Sequence, residues 1–187
     1  MKDILWARTL FESYKYLGRI IKSIDRLVLE KSSFSSNIYQ GEGNTIGDME
    51  AVIDLIERKK RLLFIKLLIE EGIKNTNEFD STLLVKYYID KLDSQTLAND
   101  MHTNRRTIHR YLNKALQGIM EQIFNLGYTC KDIETMLENE GWIVGIYNSY
   151  LVKMRGIEKG LRPIVIPKMN RLDRLVGTVY GRAYYIA

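Results

Sequence analysis

Apolar residues repeat at helical spacing through the first 72 residues. From residue 3 to residue 31 they alternate steps of three and four, as in a coiled coil: Leu10, Tyr14, Leu17, Ile21, Ile24 and Val28. A second helix is predicted from Asp48 to Glu71, ended by Gly72, with five residues expected to point inward: Met49, Ile53, Ile56, Leu63 and Leu67. The stretch from Ser32 to Gly47 predicts a loop. Residues 1–72 therefore predict a helical hairpin, used for internal packing or for dimerisation.

Three shorter helices are predicted in residues 80–128. The first runs from Ser81 to Leu92, and a second, capped by Asp93 or Ser94, carries Leu97 and Ala98. After the polar break His102-Thr103-Asn104, a long helix capped by Asn104 has one apolar stripe: Ile108, Leu112, Ala115, Ile119 and Ile123. Two helices joined by a tight turn, the second with a basic start, predict a trihelical helix-turn-helix module.

The polar face of the long helix carries the candidate DNA contacts. They are Asn104, Arg105, Arg106, Thr107, His109, Arg110, Asn113 and Lys114. Basic and amide side chains in the first turns of a recognition helix are placed to meet base edges and phosphates. The alternative is an ordinary helical hairpin with a basic outer face. Two residues favour DNA binding: Ala98 is small where the helices must cross, and His102 tolerates the left-handed backbone that the turn requires.

Segments of this module resemble a known family. Gln95–Met101, Arg106–Ile108 and Lys114–Leu116 resemble the fourth region of bacterial sigma factors, and still more the phage late-gene transcriptional activators of the RinA and ArpU type. The resemblance covers roughly Leu10 to Tyr128. It implies a helical hairpin before the DNA-binding module and regulation of phage or prophage genes. His102 stands where the family has a turn glycine, and Thr103 where it has a buried aliphatic residue.

The remaining residues, 129–187, lie beyond the resemblance and predict a small basic α+β extension. Thr129 opens a short helix, with Asp132 at capping-box spacing. Three β-branched segments bounded by Gly and Pro predict strands: residues 142–147, 164–167 and 177–186. Residues 148–155 and 172–176 could instead be helical. The overall fold class predicted is mainly α, with this small α+β element at the C-terminus.

Basic residues are concentrated at the C-terminal end. From Lys153 onward there are eight Lys or Arg and two acidic residues, so this segment has a net charge of +6. The whole chain has a net charge of +5, and the positive excess therefore lies in this segment. Basic residues interleaved with tyrosines are typical of surfaces that bind nucleic acid or an acidic partner. The candidate contacts here are Tyr150, Lys153, Arg155, Arg162, Lys168, Arg171, Arg174, Tyr180, Arg182 and Tyr184. A structural cap with a tyrosine core is an equal alternative.

Composition narrows the classes of protein. Hydrophobic residues make up 45% and charged residues 27% of the chain, which fits a folded protein. One cysteine, Cys130, and two histidines predict neither a disulfide framework nor a zinc site, and no phosphate-binding loop or nucleophile elbow is present. We expect a cytoplasmic protein without cofactor, metal or membrane segment, and not an enzyme.

These patterns predict a sequence-specific DNA-binding transcriptional regulator, acting as a homodimer on double-stranded DNA. RNA polymerase is a possible host partner. A first alternative is a bifunctional phage effector whose C-terminal region binds a host nuclease, in the manner of anti-CRISPR proteins, while the helix-turn-helix regulates its own gene. A second is a phage DNA-packaging protein similar to small terminase.

Overall fold

The computed structural model describes residues 2–36 and 45–154, and this part of the chain is mainly helical, without strands. Two long helices come first, α1 (Lys2–Ser36) and α2 (Thr45–Lys74). Five shorter helices follow: α3 (Glu78–Leu84), α4 (Ser94–Asp100), α5 (Arg105–Asn125), α6 (Cys130–Leu137) and α7 (Gly141–Met154). A π-helical turn, Val85–Ile89, continues α3. Both long helices extend into the predicted loop of residues 32–47, whose centre lies outside the described residues.

Side chains in the sequence immediately before the short helices fix where these begin. The carboxylate of Asp93 accepts bonds from the amides of Gln95 and Thr96, at 2.7 and 3.0 Å. The hydrogen bond from the Thr96 hydroxyl, with the two amide bonds, lowers the pKa of this carboxyl. At α6, Thr129 and Asp132 form the reciprocal capping box that their spacing predicts. These bonds satisfy helical amides that have no partner inside the helix.

The described chain forms two compact units, of which one is Lys15–Leu67. Its buried apolar residues come from both long helices: Leu17, Ile20, Ile21, Ile24, Leu55, Leu62 and Ile65. Ion pairs join Asp25 to Lys59 at 2.5 Å and Lys31 to Asp48 at 3.7 Å. Later residues of α1 thus pair with earlier residues of α2.

The inward face predicted for α2 is wrong. The five residues expected inside are exposed, at 62% (Met49), 57% (Ile53), 37% (Ile56), 40% (Leu63) and 53% (Leu67). Leu55, Leu62 and Ile65 are buried instead. The helix carries two apolar stripes, and helical spacing alone does not identify which of two stripes is packed.

The second unit contains residues up to Tyr14 and the described residues from Leu68 onward. In it α3 and α4 both pack against α5. Gly72 does not end α2, contrary to expectation, since the helix continues to Lys74. A Cβ at Gly72 would lie 3.3 Å from Cγ2 of Ile119, so this glycine permits close packing against α5.

The strand predicted at residues 142–147 is also wrong, because these residues begin α7. Ile143, Tyr147 and Leu151 recur every four residues and are buried, as on one face of a helix. The Tyr147 ring stacks on Trp6 with centroids 4.5 Å apart. A short β-branched run fits a buried helix as well as a strand, and packing decides between them. The helical alternative for residues 148–155 is confirmed as far as Met154, and the segments 164–167, 172–176 and 177–186 lie outside the described residues.

Candidate nucleic-acid interface

The connection between α4 and α5 is four residues long and has the predicted left-handed residue. His102 has φ of 47°. The amide of Thr103 donates to the carbonyl of Ala98 at 2.9 Å, and Ala98 is fully buried. A histidine tolerates this backbone region better than a β-branched residue would. The turn therefore closes tightly with a histidine in the left-handed position.

Asn104 caps α5, as the sequence predicts. Its Oδ1 accepts a hydrogen bond from the Thr107 amide at 2.8 Å and lies 3.1 Å from the Thr107 hydroxyl. The first amides of the helix point outward from this cap, and the helix dipole places partial positive charge at the same end. Asn104 and Thr107 are thus engaged with each other, and they hold the start of α5 in place.

Helix α5 separates into an apolar face and a basic face. The predicted apolar stripe is confirmed, because Ile108, Leu112, Ala115, Ile119 and Ile123 are all buried. The opposite face is exposed at Asn104, Arg105, Arg106, His109, Arg110 and Lys114. No carboxylate of the described residues forms an ion pair with the arginines or the lysine of this face. The positive charge of these four side chains is available to an anionic partner.

Asn113 differs from the other candidates because α1 contacts it. Nη2 of Arg8 donates to Oδ1 of Asn113 at 2.6 Å, and Asn113 is half-buried. A cavity of about 360 Å³ lies beside this pair, lined also by His109, Tyr87 and Tyr150. Arg8 is a neighbour that sequence reasoning missed, and no local pattern could have revealed it because it lies 105 positions from Asn113 in the chain.

A carboxylate–ammonium pair also lines the same cavity. Nζ of Lys91 contacts both carboxylate oxygens of Glu12, at 2.9 and 2.8 Å. Lys91 itself has φ of 61°, so a left-handed residue turns the chain between the π-helical turn and the Asp93 cap. These contacts hold the segment that leads into α4, the helix that precedes α5 in the chain.

Of the candidate contacts in the C-terminal region, only two lie within the described chain. Tyr150 is half-buried at the cavity, and Nζ of Lys153 lies 5.6 Å from the centre of its ring. Tyr147, which the sequence interleaves with them, belongs to the core. Arg155, Arg162, Lys168, Arg171, Arg174, Tyr180, Arg182 and Tyr184 lie outside the described residues.

Cys130, half-buried at the start of α6, is placed differently from a reactive thiol. Its Sγ lies 3.1 Å from Oδ1 of Asp3. Burial and this hydrogen bond raise the pKa of the Cys130 thiol to about 12. A thiol held in this way forms little thiolate at neutral pH.

Metal sites and membrane spans are absent from the described part of the chain. No group of three or more His, Cys, Asp or Glu in residues 2–36 and 45–154 is arranged to hold a metal ion. Within the same ranges, no helix has the length and apolar character needed to span a bilayer. The resemblance to phage activators rests on the quoted residues alone, because no protein-family model, curated protein or solved structure matches this chain.

Proposed function

We propose that this chain is a sequence-specific DNA-binding transcriptional regulator of the phage or prophage type. The basic face of α5 carries the proposal: Arg105, Arg106, His109, Arg110 and Lys114 are exposed together and have no carboxylate partner among the described residues. The tight turn at His102 and the packing of α3 and α4 on α5 support the assignment of a helix-turn-helix. In this proposal residues 80–128 form the DNA-binding module, residues 1–72 a helical hairpin, and residues 129–187 a basic extension.

In the proposed complex the first three turns of α5 enter the major groove. An arginine can donate two parallel hydrogen bonds to O6 and N7 of guanine, whereas a contact to phosphate carries no sequence information. Arg105, Arg106 and Arg110 divide between these two roles, and His109 and Lys114 add contacts to bases or sugar-phosphate. Asn104 and Thr107 act by holding the helix start, and Asn113 is held by Arg8 at the inner edge of the face.

Selection from a random DNA library with the full-length protein tests the proposal. We expect one enriched sequence, bound more tightly than unrelated DNA. Arg106→Ala should weaken binding to it by about 1–3 kcal/mol and flatten the preference if Arg106 reads a base. Lys131→Ala is the matched control, because it removes one positive charge from an exposed position on α6, away from the basic face of α5.

Salt dependence separates the two roles of Arg106. If Arg106 contacts a phosphate, Arg106→Ala should weaken binding equally on all sequences and reduce the slope of log K against log salt by about 0.9. Over a fourfold rise in salt, that slope corresponds to about a 3.5-fold smaller loss of affinity than for the parent protein. Arg106→Ala and Lys131→Ala proteins that bind alike would exclude Arg106 from the interface. The absence of any enriched sequence would contradict the proposed function.

A further inference from the structure

The exposed apolar residues of α2 lie on one face of the helix, within the Lys15–Leu67 unit. We call it the outer stripe: Met49, Ile53, Ile56, Leu63 and Leu67. The other side of α2 already packs in the core through Leu55, Leu62 and Ile65. The outer stripe is therefore a second apolar face, beyond the one that stabilises the unit itself.

The outer stripe is larger than the single apolar residues that are commonly exposed on protein surfaces. From the exposed fractions, each copy presents on the order of 500 Å² of side-chain surface, at the upper end for the largest apolar patch of a typical monomer. Two copies packed along it would bury up to about 1,000 Å² in total, which is the lower limit of area for a biological interface between proteins. The area fits a second copy of the same helix.

The spacing of the outer stripe is that of a coiled coil. Its members follow at steps of four, three, seven and four, and Lys60 occupies the position that divides the step of seven. Positions 49, 56 and 63 are then seven residues apart, as are positions 53, 60 and 67, and this heptad repeat keeps a seam facing a partner helix. A single polar residue in such a seam lowers stability and selects one alignment of the helices.

Lys60 distinguishes the two possible alignments. In a parallel pair, Lys60 would face the partner's Lys60, and two like charges would be placed together in an apolar seam. In an antiparallel pair centred at the level of Arg58, Lys60 faces the partner's Ile56 and lies beside the partner's Glu57. Within one copy the Lys60 ammonium already contacts Glu57 at 2.8 Å, so the crossing point would bring together two cations and two carboxylates. Met49 would then face the partner's Leu67, and Ile53 the partner's Leu63.

We propose that the outer stripe of α2 is a self-association surface on which a second copy packs antiparallel. The surface is argued from α2 alone, while its role in DNA reading rests on the proposed function. One recognition helix contacts only a few base pairs, and a two-fold dimer doubles the number. The antiparallel pair has the two-fold symmetry that such a dimer requires.

Disulfide formation between copies tests the alignment. In full-length protein carrying Cys130→Ser, we introduce Ile53→Cys into one preparation and Leu63→Cys into another, of different mass. The antiparallel pair predicts that mixing them gives cross-linked heterodimers, while neither preparation alone cross-links efficiently. Like positions would be about 15 Å apart along the helix, at 1.5 Å per residue, too far for a disulfide. Cross-links between like positions would overturn the antiparallel arrangement.

A second measurement keeps the proposal testable if the cysteines weaken association. Sedimentation equilibrium of the full-length protein should show a dimer, and Ile53→Glu should weaken dimerisation at least tenfold while circular dichroism stays unchanged. Val152→Glu is the matched control, since Val152 is 59% exposed on α7, outside the outer stripe, and should leave the dimer intact. A monomeric parent protein, including one whose stripe is covered by another segment of its own chain, would overturn the proposal. So would a dimer insensitive to Ile53→Glu.

The outcomes for this surface and for the proposed function are distinguishable. Cross-linking and sedimentation need no DNA, so a dimer that selects no sequence would leave the outer stripe supported and contradict the proposed function. A monomer that selects a sequence would support the proposed function and contradict the outer stripe as a self-association surface.

Discussion

Two glycines in helices should differ in how their substitution by alanine changes stability. Gly118 lies inside α5 and a Cβ there would meet no atom within 4 Å, whereas a Cβ at Gly72 would lie 3.3 Å from Cγ2 of Ile119 and 3.7 Å from Cγ1 of Ile123. Alanine in a helix is favoured over glycine by about 1 kcal/mol because less backbone entropy is lost on folding. We therefore expect Gly118→Ala to raise the free energy of unfolding by about that amount.

At Gly72 a steric cost opposes the same gain. Ile119 and Ile123 are buried, so they cannot move away into solvent. Inserting a methyl group into such packing costs about 1–3 kcal/mol. Gly72→Ala should therefore leave the free energy of unfolding unchanged or lower it by up to about 2 kcal/mol. The Gly72→Ala protein should then be about 1–3 kcal/mol less stable than the Gly118→Ala protein.

Urea unfolding followed by far-UV circular dichroism, at one fixed protein concentration, measures this difference. In a background carrying Ile119→Ala the steric cost is removed, and Gly72→Ala should then become stabilising, by up to about 1 kcal/mol. If Gly72→Ala stabilises the unchanged protein as much as Gly118→Ala does, the close approach of α2 to α5 at this point is refuted.

Two further predictions concern the cap of α5 and the thiol of α6. Asn104→Ala should lower the free energy of unfolding by about 1 kcal/mol because the Thr107 amide loses its acceptor. Asn104→Asp should keep the stability of the parent protein, since a carboxylate oxygen can accept the same hydrogen bond. Equal urea midpoints for the two variants would contradict the cap. Cys130 should react with iodoacetamide far more slowly in the folded than in the unfolded protein at pH 8, since its pKa of about 12 leaves little thiolate. The folded protein holds this proton more tightly than the unfolded chain, in which the thiol has its ordinary pKa of 9.0. The contribution of Cys130 to the free energy of unfolding should therefore fall as pH rises from 9.0 to about 12. Cys130→Ser should remove this pH dependence. Alkylation at equal rates in both states would contradict its burial.

The features predicted correctly from sequence are those that neighbouring residues determine. Asn104 caps α5 through an amide three residues away, and Thr129 with Asp132 does the same at α6. His102 takes the left-handed conformation because the turn joins two helices that must fold back on each other. The apolar stripe of α5 was identified because that helix has only one such stripe. In each case a few consecutive side chains contain the information.

The incorrect predictions concern choices that distant residues make. Helix α2 has two apolar stripes, and the residues that α1 brings against it bury Leu62 rather than Leu63. The β-branched start of α7 is equally compatible with a strand, and Tyr147 becomes helical core where Trp6 meets it. Gly72 looked like a helix stop, although its role depends on a side chain 47 positions later.

The sequence by itself therefore determined the mainly helical class, the caps and the basic face that α5 presents. Tertiary structure decided which stripe of α2 is left exposed, that residues 142–147 are helical, and that Arg8 holds Asn113. The physical reason is range: hydrogen bonds at helix ends and helical spacing act over a few residues, whereas burial depends on contacts between segments far apart in the chain.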